Sequence, residues 1–407
     1  MTFRPISTGF APNFESDDVR LAVKLLLGMV SQSTLNSSLA SFKKEFSEYF
    51  GGRHVSLYSS GRAALCGALR ALNLEKDSEV LIQAFTCVAV PDAVLWADLK
   101  PIFVDISPKT YNFDIKDLKK KLSKKTRAIV IQHTFGIPAD ISELKKIAEK
   151  NNLYLVEDCA HGLGGEYDRE KLGILGDIGV FSFGRDKIIS SVFGGAVVTK
   201  NKQIIQRLAT AERDLVVPPG AFTQRQLQYL VIYALALPVY NLFLGKGLLW
   251  LSRRLGLLSQ AVYEKECRGE KPFFLAYRFS LQLAPLLLQQ FRKLPKFIKH
   301  RKSIANIYIE NLGLNYPIMP YLRVPVIVKD KIATLAVAKR KGIHLGNWYR
   351  GAIDPPHSDG AALNYSACPQ AESLAQQTIN LPTHINISRS DALKIADFIK
   401  NHRDEKL

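Results

Sequence analysis

Short runs rich in β-branched residues alternate with segments of helical periodicity between residues 50 and 200. Strands that alternate with helices form βαβ units, and the strands of such units lie parallel in one sheet. The pattern therefore predicts an α/β fold with a mainly parallel central sheet. The six predicted strands are EVLIQAF (79–85), PIFVDI (101–106), RAIVIQH (127–133), LYLVEDC (153–159), IGVFSFG (178–184) and GAVVT (195–199).

The helix predicted most clearly spans residues 141–151. Asp140 is placed to cap its N-terminus, and Glu143 follows three residues later, as in a capping box. Apolar residues recur at positions 141, 144, 147 and 148, which is the spacing of one helix face. A second amphipathic run, SRSDALKIADFIKNH (388–402), predicts a helix at the C-terminus.

Composition and charge restrict the class of protein and its partners. The 407 residues are 47% hydrophobic, which is enough for a large buried core. The formal net charge of +18 indicates an anionic partner, such as a phosphorylated substrate or an acidic membrane. No zinc-ligand spacing or aromatic-basic RNA motif occurs, so we expect neither a metal site nor nucleic-acid binding. The first residues contain no apolar run of signal-peptide length, so we expect no export, and the five scattered cysteines predict reduced thiols in a cytoplasmic protein.

The amino-acid composition changes between about residues 222 and 262, where charged residues become rare. Residues 226–245 carry no charge, and a tryptophan and two arginines follow. A single membrane crossing here would separate the two halves of the protein across the bilayer, so we do not predict a transmembrane span. Two alternatives stay open, namely a helical hairpin packed on the protein or its dimer partner, and an element lying in a membrane interface. We predict a large domain over residues 1–275, which includes this insertion, and a smaller α+β domain over residues 276–407.

Polar residues follow several predicted strands at the edge of the sheet where ligands of doubly wound folds bind. Residues 59–65, SSGRAAL, lead from a strand through Gly61 into a helix, whose N-terminal N–H groups suit a phosphate. Asp158 ends one apolar strand, and Ser182 and Lys187 follow another. This set resembles a site for pyridoxal 5′-phosphate (PLP). There a lysine amine forms a Schiff base with the cofactor, an aspartate keeps the pyridine nitrogen protonated, and a turn holds the phosphate.

Each of these residues also has an ordinary structural interpretation. Lys187 could be a surface lysine, Asp158 could cap a helix or join a salt bridge, and the SSG sequence could be a simple turn. Spacing alone does not decide between the two interpretations.

The order of the motifs SSGRAALCGAL, EDCAHG, LGDIGVFSFGRDK and GGAVVT resembles that of the DegT/DnrJ/EryC1/StrS family of sugar aminotransferases. The resemblance extends from about residue 30 to the C-terminal segment CPQAESLAQQTINLPTH. It implies fold type I, PLP as the cofactor, active sites at a homodimer interface, and Lys187 as the catalytic residue. The cofactor-binding residues that it implies are Ser60, Gly61, Arg62, Cys87, Asp158, His161, Ser182 and Lys187.

Four positions depart from the family pattern. Arg62 replaces a threonine, His161 replaces a glutamine, and Cys87 lies where the family has an aromatic ring over the cofactor. Ala276 replaces an asparagine that reaches the phosphate across the dimer, and we hypothesise that Arg62 offsets this loss. His133 and residues 348–350 are further candidates for the cleft.

The sequence thus predicts a PLP-dependent aminotransferase of glycan biosynthesis. It would move an amino group, from glutamate as the expected donor, to a keto sugar on a nucleotide or lipid carrier. The alternatives are a PLP-fold sugar dehydratase, a non-catalytic membrane-associated scaffold and a PLP enzyme for a non-sugar substrate. Dehydratase relatives typically lack the lysine, so Lys187 counts against the first of these. We expect a cytoplasmic location, and peripheral contact with the inner face of the cytoplasmic membrane if residues 222–262 meet lipid.

Overall fold

A seven-stranded sheet forms the centre of the computed structural model, which describes residues 4–357, 363 and 365–402. The strands of the described residues are β1 Ile6–Ser7, β2 His54–Tyr58, β3 Glu79–Gln83, β4 Thr86–Cys87, β5 Lys100–Val104, β6 Thr126–Gln132, β7 Tyr154–Asp158, β8 Glu166–Tyr167, β9 Glu170–Lys171, β10 Ile178–Ser182, β11 Gly195–Thr199, β12 Arg323–Ile327, β13 Ile343–His344, β14 Ile353–Asp354 and β15 Thr378–Pro382. The order across the central sheet is β2-β11-β10-β7-β6-β3-β5. Neighbours from β10 to β5 pair in parallel, whereas β11 is antiparallel to both β10 and β2. The predicted α/β class is therefore confirmed.

Helices cover both faces of this sheet. Those of the described residues are α1 Ser16–Leu26, α2 Gln32–Tyr49, α3 Gly61–Ala71, α4 Ala89–Trp96, α5 Ile115–Lys121, α6 Ile141–Asn151, α7 Lys202–Asp214, α8 Gly220–Ala236, α9 Leu244–Arg254, α10 Ala284–Arg292, α11 Leu294–Leu312, α12 Lys331–Arg340, α13 Pro369–Gln377 and α14 Arg389–Lys400. Short 3-10 turns include Leu237–Leu242, Glu266–Arg268 and Phe273–Ala276.

Two hydrophobic cores lie on opposite faces of the sheet. Val80 and Ile82 of β3 join the core that contains α3 and α4, whereas Leu81 joins the core that contains α2 and α6. Val130 and Ile129 of β6 divide between the two cores in the same way. Successive side chains of a strand point to opposite faces, so a sheet covered on both sides needs apolar residues at consecutive positions. This explains the uninterrupted apolar runs of the sequence.

The C-terminal part of the chain builds a smaller layer beside the sheet. There β12 pairs antiparallel with β15, and α11 packs on α14. The N-terminal strand β1 pairs with β13 of this part, while α10 packs on α2 beside the sheet. The domain boundary after residue 275 stays a prediction.

The extra apolar segment forms α8, a 3-10 turn and α9. α8 packs against α1, and its side chains Leu227, Tyr229, Leu230 and Tyr233 are buried. Phe10 of the N-terminal segment packs against the rings of Tyr233 and Tyr240. Within the described residues, no helix is both long enough and apolar enough to cross a bilayer.

Candidate active site

All eight predicted cofactor residues line one cavity of about 800 Å³. The cavity lies where β2, β7 and β10 end, at the carboxyl edge of the parallel strands. Ligands of doubly wound sheets bind at this edge because the loops and helix N-termini there are free to contact them. Wall residues that the sequence did not point to include Arg323, Asp186 and residues 261, 262, 264 and 267.

The turn between β2 and α3 forms one end of the cavity. Ser60 caps α3, since its side chain accepts a hydrogen bond from Ala63 N–H at 3.2 Å. Gly61 faces Ser182 so closely that a Cβ at position 61 would lie 2.6 Å from the Ser182 Cβ. The first N–H groups of a helix have no intrahelical acceptor and favour an anion. Ser60, Gly61 and Ser182 therefore form a narrow cradle of the kind that holds a phosphate.

Asp158 is the last residue of β7 and is almost fully buried. Its carboxylate accepts a hydrogen bond from Ala160 N–H at 2.9 Å. Burial raises the pKa of Asp158, while that hydrogen bond and the charge of Lys187 oppose the rise. A carboxylate in this position is stabilised by a cation, because burial without one penalises its charged form.

Lys187 follows β10, which is the strand next to β7. Its backbone N–H donates to the Gly184 carbonyl at 3.1 Å, and its carbonyl accepts a hydrogen bond from the side chain of Asn13. The amide oxygen of Asn13 accepts in turn from Arg301 at 2.7 Å. The lysine backbone is thus held from two sides. Neither Asn13 nor Arg301 could be predicted, because no local sequence pattern links them to residue 187.

Aromatic rings form the wall beside Lys187. The Trp348 ring stacks on His161 with 5.5 Å between ring centroids, and the Lys187 Nζ lies 5.3 Å from the Trp348 centroid. His161 Nδ1 accepts from Phe135 N–H at 3.2 Å, and burial lowers the pKa of His161 well below its usual value. A neutral imidazole stacked in an aromatic wall agrees with the predicted role of His161 beside a flat cofactor ring. That role stays a prediction.

Arg323 packs over the ring of Trp348, with 3.6 Å between the guanidinium carbon and the ring centroid. It also donates a hydrogen bond to Asp186 at 3.0 Å. Burial lowers the pKa of Arg323, whereas Asp186 opposes the shift.

The surroundings of Arg62, Cys87 and Ala276 show what these three departures from the family pattern contact in the structure. The Arg62 guanidinium bonds to the buried carboxylate of Glu266 and to the Ala261 carbonyl, both in the segment that follows α9. These contacts do not support our hypothesis that this guanidinium serves the phosphate, although Arg62 lines the cavity. Burial raises the pKa of the Cys87 thiol to about 11, so the thiol is neutral. Ala276 ends a 3-10 turn, and its carbonyl accepts from Val216 N–H at 2.9 Å.

His133 is fully buried and is absent from the described lining of the cavity. Its Nδ1 accepts from Ala139 N–H at 3.2 Å, so its Nε2 carries the proton that it donates to Glu157 at 3.2 Å. Glu157 also accepts from three backbone N–H groups in residues 173–176. His133 and Glu157 lie near Cys159, but their hydrogen bonds already satisfy one another. We therefore assign His133 a structural role.

These residues fit PLP. The turn at Gly61 leaves no space for a side chain and lies at the N-terminus of α3, where free N–H groups favour a phosphate. Asp158 offers a carboxylate that needs a cationic partner such as a protonated pyridine. Lys187 supplies the amine from the adjacent strand.

Residues 23–223 match the sequence model of the DegT/DnrJ/EryC1/StrS aminotransferase family. The chain belongs to this family. PLP is the cofactor of these aminotransferases, which confirms the predicted cofactor. Over 388 residues the chain is 26% identical to GDP-perosamine synthase of Escherichia coli O157:H7, and the match covers 92% of each protein. The identity to GDP-perosamine synthase of Vibrio cholerae is 34%, over 43% of this chain and 48% of that protein.

Two solved structures of low sequence identity have the same fold. PseC of Helicobacter pylori, an aminotransferase involved in the biosynthesis of pseudaminic acid, has a TM-score of 0.74 at 19% identity. That match covers 98% of this chain and 99% of PseC. E. coli GDP-4-keto-6-deoxy-D-mannose-3-dehydratase with bound hydrated PLP has a TM-score of 0.71 at 18% identity, over 98% of each chain. The predicted fold class is thereby confirmed.

Proposed function

We propose that this protein transfers an amino group from an amino acid, with glutamate as the expected donor, to a keto sugar on a nucleotide or lipid carrier. The product would enter the synthesis of a glycan or cell-surface polysaccharide. The observation that carries this proposal is the convergence of Lys187 and Asp158, from the adjacent parallel strands β10 and β7, on one cavity that also contains a phosphate cradle. The match to GDP-perosamine synthase of Escherichia coli O157:H7, which covers 92% of each protein, supports the proposal.

We assign each residue of the site a separate role in cofactor binding or proton transfer. Ser60, Gly61 and Ser182 would hold the phosphate, and Asp158 would hold a proton on the pyridine nitrogen. When bound, PLP supplies an aldehyde for the donor amine and a ring that withdraws electrons from the substrate. Lys187 would bind the cofactor covalently and, once released from it, would carry a proton to and from the substrate α-carbon. The neutral His161 and Trp348 would confine the ring and limit access of water.

A dehydratase is the second candidate, because a PLP-containing sugar dehydratase shares the fold over 98% of this chain. An amine at position 187, facing the cavity, favours transamination over that reaction.

Visible absorption of the purified protein tests the aminotransferase proposal. We expect PLP to give the band of a lysine-bound cofactor, glutamate to bleach this band, and Lys187→Ala to lack it. Lys200→Ala is the matched control, since Lys200 is exposed at the end of β11. An intact band in Lys187→Ala, or a band that no amino acid bleaches, would refute the assignment.

The assembly and location of the enzyme are further parts of the proposal. The family resemblance supports a homodimer, which sedimentation velocity tests directly. The apolar surface of α9 supports peripheral contact between residues 222–262 and the inner face of the cytoplasmic membrane. Fractionation of cells in the absence of detergent tests that location, and a fully soluble enzyme would contradict it.

A further inference from the structure

Helix α9 exposes apolar side chains instead of burying them. Its buried residues are Gly245, Leu249 and Ser252, which face the protein. Leu244, Leu251 and Leu255 recur at helical spacing on another side and are exposed to solvent. We call the exposed apolar residues of this region the outer face. It consists of Leu235, Leu242, Phe243, Leu244, Trp250, Leu251 and Leu255, which are 47–73% exposed.

The charged side chains of the segment that carries the outer face all have one sign. Residues 215–263 contain no aspartate or glutamate, but they contain Arg225, Lys246, Arg253 and Arg254. Lys246 lies 4.4 Å from the Phe243 ring centroid, and the Arg254 guanidinium lies 5.4 Å from that of Trp250. A tryptophan and flexible cations beside exposed leucines are typical of a helix that lies in a membrane interface.

The same charges disfavour a second copy of the chain as the partner. In a two-fold dimer the same patch meets itself, so an interface through the outer face would bring cations against cations. An anionic bilayer complements both the apolar side chains and the positive charge.

The outer face is joined to the active site by a short, fixed connection. Leu257, an exposed residue two positions after the outer face ends at Leu255, is four residues from Ala261, which lines the cavity. Four residues span at most about 14 Å. The cavity wall at Ala261 and Val262 therefore lies close to the end of the outer face.

Two arginines of the active site hold this connection in place. Arg185, two residues before Lys187, donates to the Ser259 carbonyl at 2.9 Å, to the Ser259 hydroxyl at 2.8 Å and to the Gln260 carbonyl at 3.1 Å. Arg62 holds Ala261 and Glu266 in the same way. The connection is thus part of the cavity wall and is tied to both cofactor-binding turns.

We propose that the outer face docks on an anionic membrane, and that the site takes its keto sugar from a lipid to which the sugar is linked through a diphosphate. This inference rests on the proposed aminotransferase function. A lipid-linked acceptor of this class would present its keto sugar at the bilayer surface, close to the cavity wall at residues 261 and 262. The class of reaction that supplies the substrate would then oxidise or dehydrate a sugar already attached to its lipid.

Vesicle sedimentation tests the docking step. We expect the holoenzyme to sediment with vesicles of phosphatidylcholine and phosphatidylglycerol, and much less with phosphatidylcholine alone. Trp250→Ser/Leu251→Ser should lower this binding at least about tenfold. Replacing Lys246, Arg253 and Arg254 by glutamine should lower it about fivefold per charge.

Matched variants elsewhere on the surface control this test. Ile332→Ser removes an apolar residue that is 81% exposed, and Lys299→Gln/Lys302→Gln removes two exposed charges. Neither should change vesicle binding. Equal binding of all variants, or no binding by the wild type, overturns the proposal. So does a Trp250→Ser/Leu251→Ser protein that changes its oligomeric state, because the outer face would then be a contact between copies.

Inhibition of the glutamate reaction tests the substrate class. Polyprenyl diphosphate in the anionic vesicles should slow the bleaching of the cofactor band several-fold, and this effect should disappear in Trp250→Ser/Leu251→Ser. The variant should bleach at the normal rate in solution. Inhibition by soluble GDP or UDP, without inhibition by the vesicle-borne lipid, would assign a nucleotide carrier and overturn the proposal. Absence of bleaching in every sample would instead refute the aminotransferase function, while sedimentation would still decide on docking.

Discussion

Replacement of Asp92 by asparagine should stabilise the protein, and the gain should increase as the pH rises toward about 8. Asp92 lies in α4 and is fully buried. Neither of its carboxylate oxygens has a hydrogen-bond partner among the described residues, and His357 Nε2 lies 3.6 Å from Oδ1. Burial and the negative charge of Glu266 raise the pKa of Asp92 to about 8, against the opposing effect of Arg62.

The sign and size of the effect follow from proton linkage. The unfolded chain releases the Asp92 proton near pH 4, whereas the folded protein keeps it up to about pH 8. Between these values the folded state binds one more proton, so this group's contribution to the free energy of unfolding falls by about 1.4 kcal/mol per pH unit. Above about pH 8 the contribution is constant. Asparagine resembles the protonated carboxyl in shape and charge but does not titrate.

Thermal unfolding of the wild type and Asp92→Asn, measured in parallel across this pH range, isolates the contribution of this group. One kcal/mol corresponds to roughly 1–2 °C in a chain of 407 residues. The difference in Tm should therefore grow by about 2 °C per pH unit. Asp397→Asn is the control, because Asp397 is 73% exposed. A difference in Tm that is independent of pH would refute the reasoning.

Three further predictions concern the site. Asp158→Asn should lower kcat about 10²-fold or more, because a neutral amide stabilises a protonated pyridine poorly, and steady-state kinetics with intact PLP binding checks this. Gly61→Ala should weaken PLP binding about tenfold in an absorbance titration, since its Cβ would enter the cradle, whereas Gly220→Ala, with no atom within 4 Å, should not. Glu266→Ala should lower the free energy of unfolding by about 3–5 kcal/mol, because the charge of Arg62 then has no buried partner. The double variant Glu266→Ala/Arg62→Thr should recover much of the melting temperature that Glu266→Ala loses. Equal melting of the single and double variants would contradict that account.

The strands and helices could be predicted because their signals are local. The predicted strand spans residues 153–159, and the observed strand β7 is one residue shorter at each end. The predicted helix 141–151 has the bounds of α6, since Asp140 accepts from Glu143 N–H at its start. Its end is set by the left-handed backbone of Asn152, with φ at 52°, a conformation that asparagine adopts more readily than most other residues.

The partners of the site residues could not be predicted, because they come from distant parts of the chain. Glu266 is 204 positions from Arg62, and Asn13 is 174 positions from Lys187. His133 follows a strand in the same way as the cavity residues do, but its side chain points to Glu157. The end of a strand therefore identifies the edge of the sheet, whereas the direction of a side chain depends on packing.

Arg62 and the segment that follows α9 depend on each other structurally. A guanidinium that replaces a hydroxyl at the start of α3 needs a compensating charge, because the Phe274 ring lies 5.0 Å from it and the side chain is only 11% exposed. That charge comes from Glu266, which is itself fully buried and would be costly without Arg62. Removal of either residue alone would leave the other as a buried charge without a partner, so the segment after α9 packs on the cofactor-binding turn with both charges or with neither. The pair fixes the wall of the cavity to the same segment that carries the outer face.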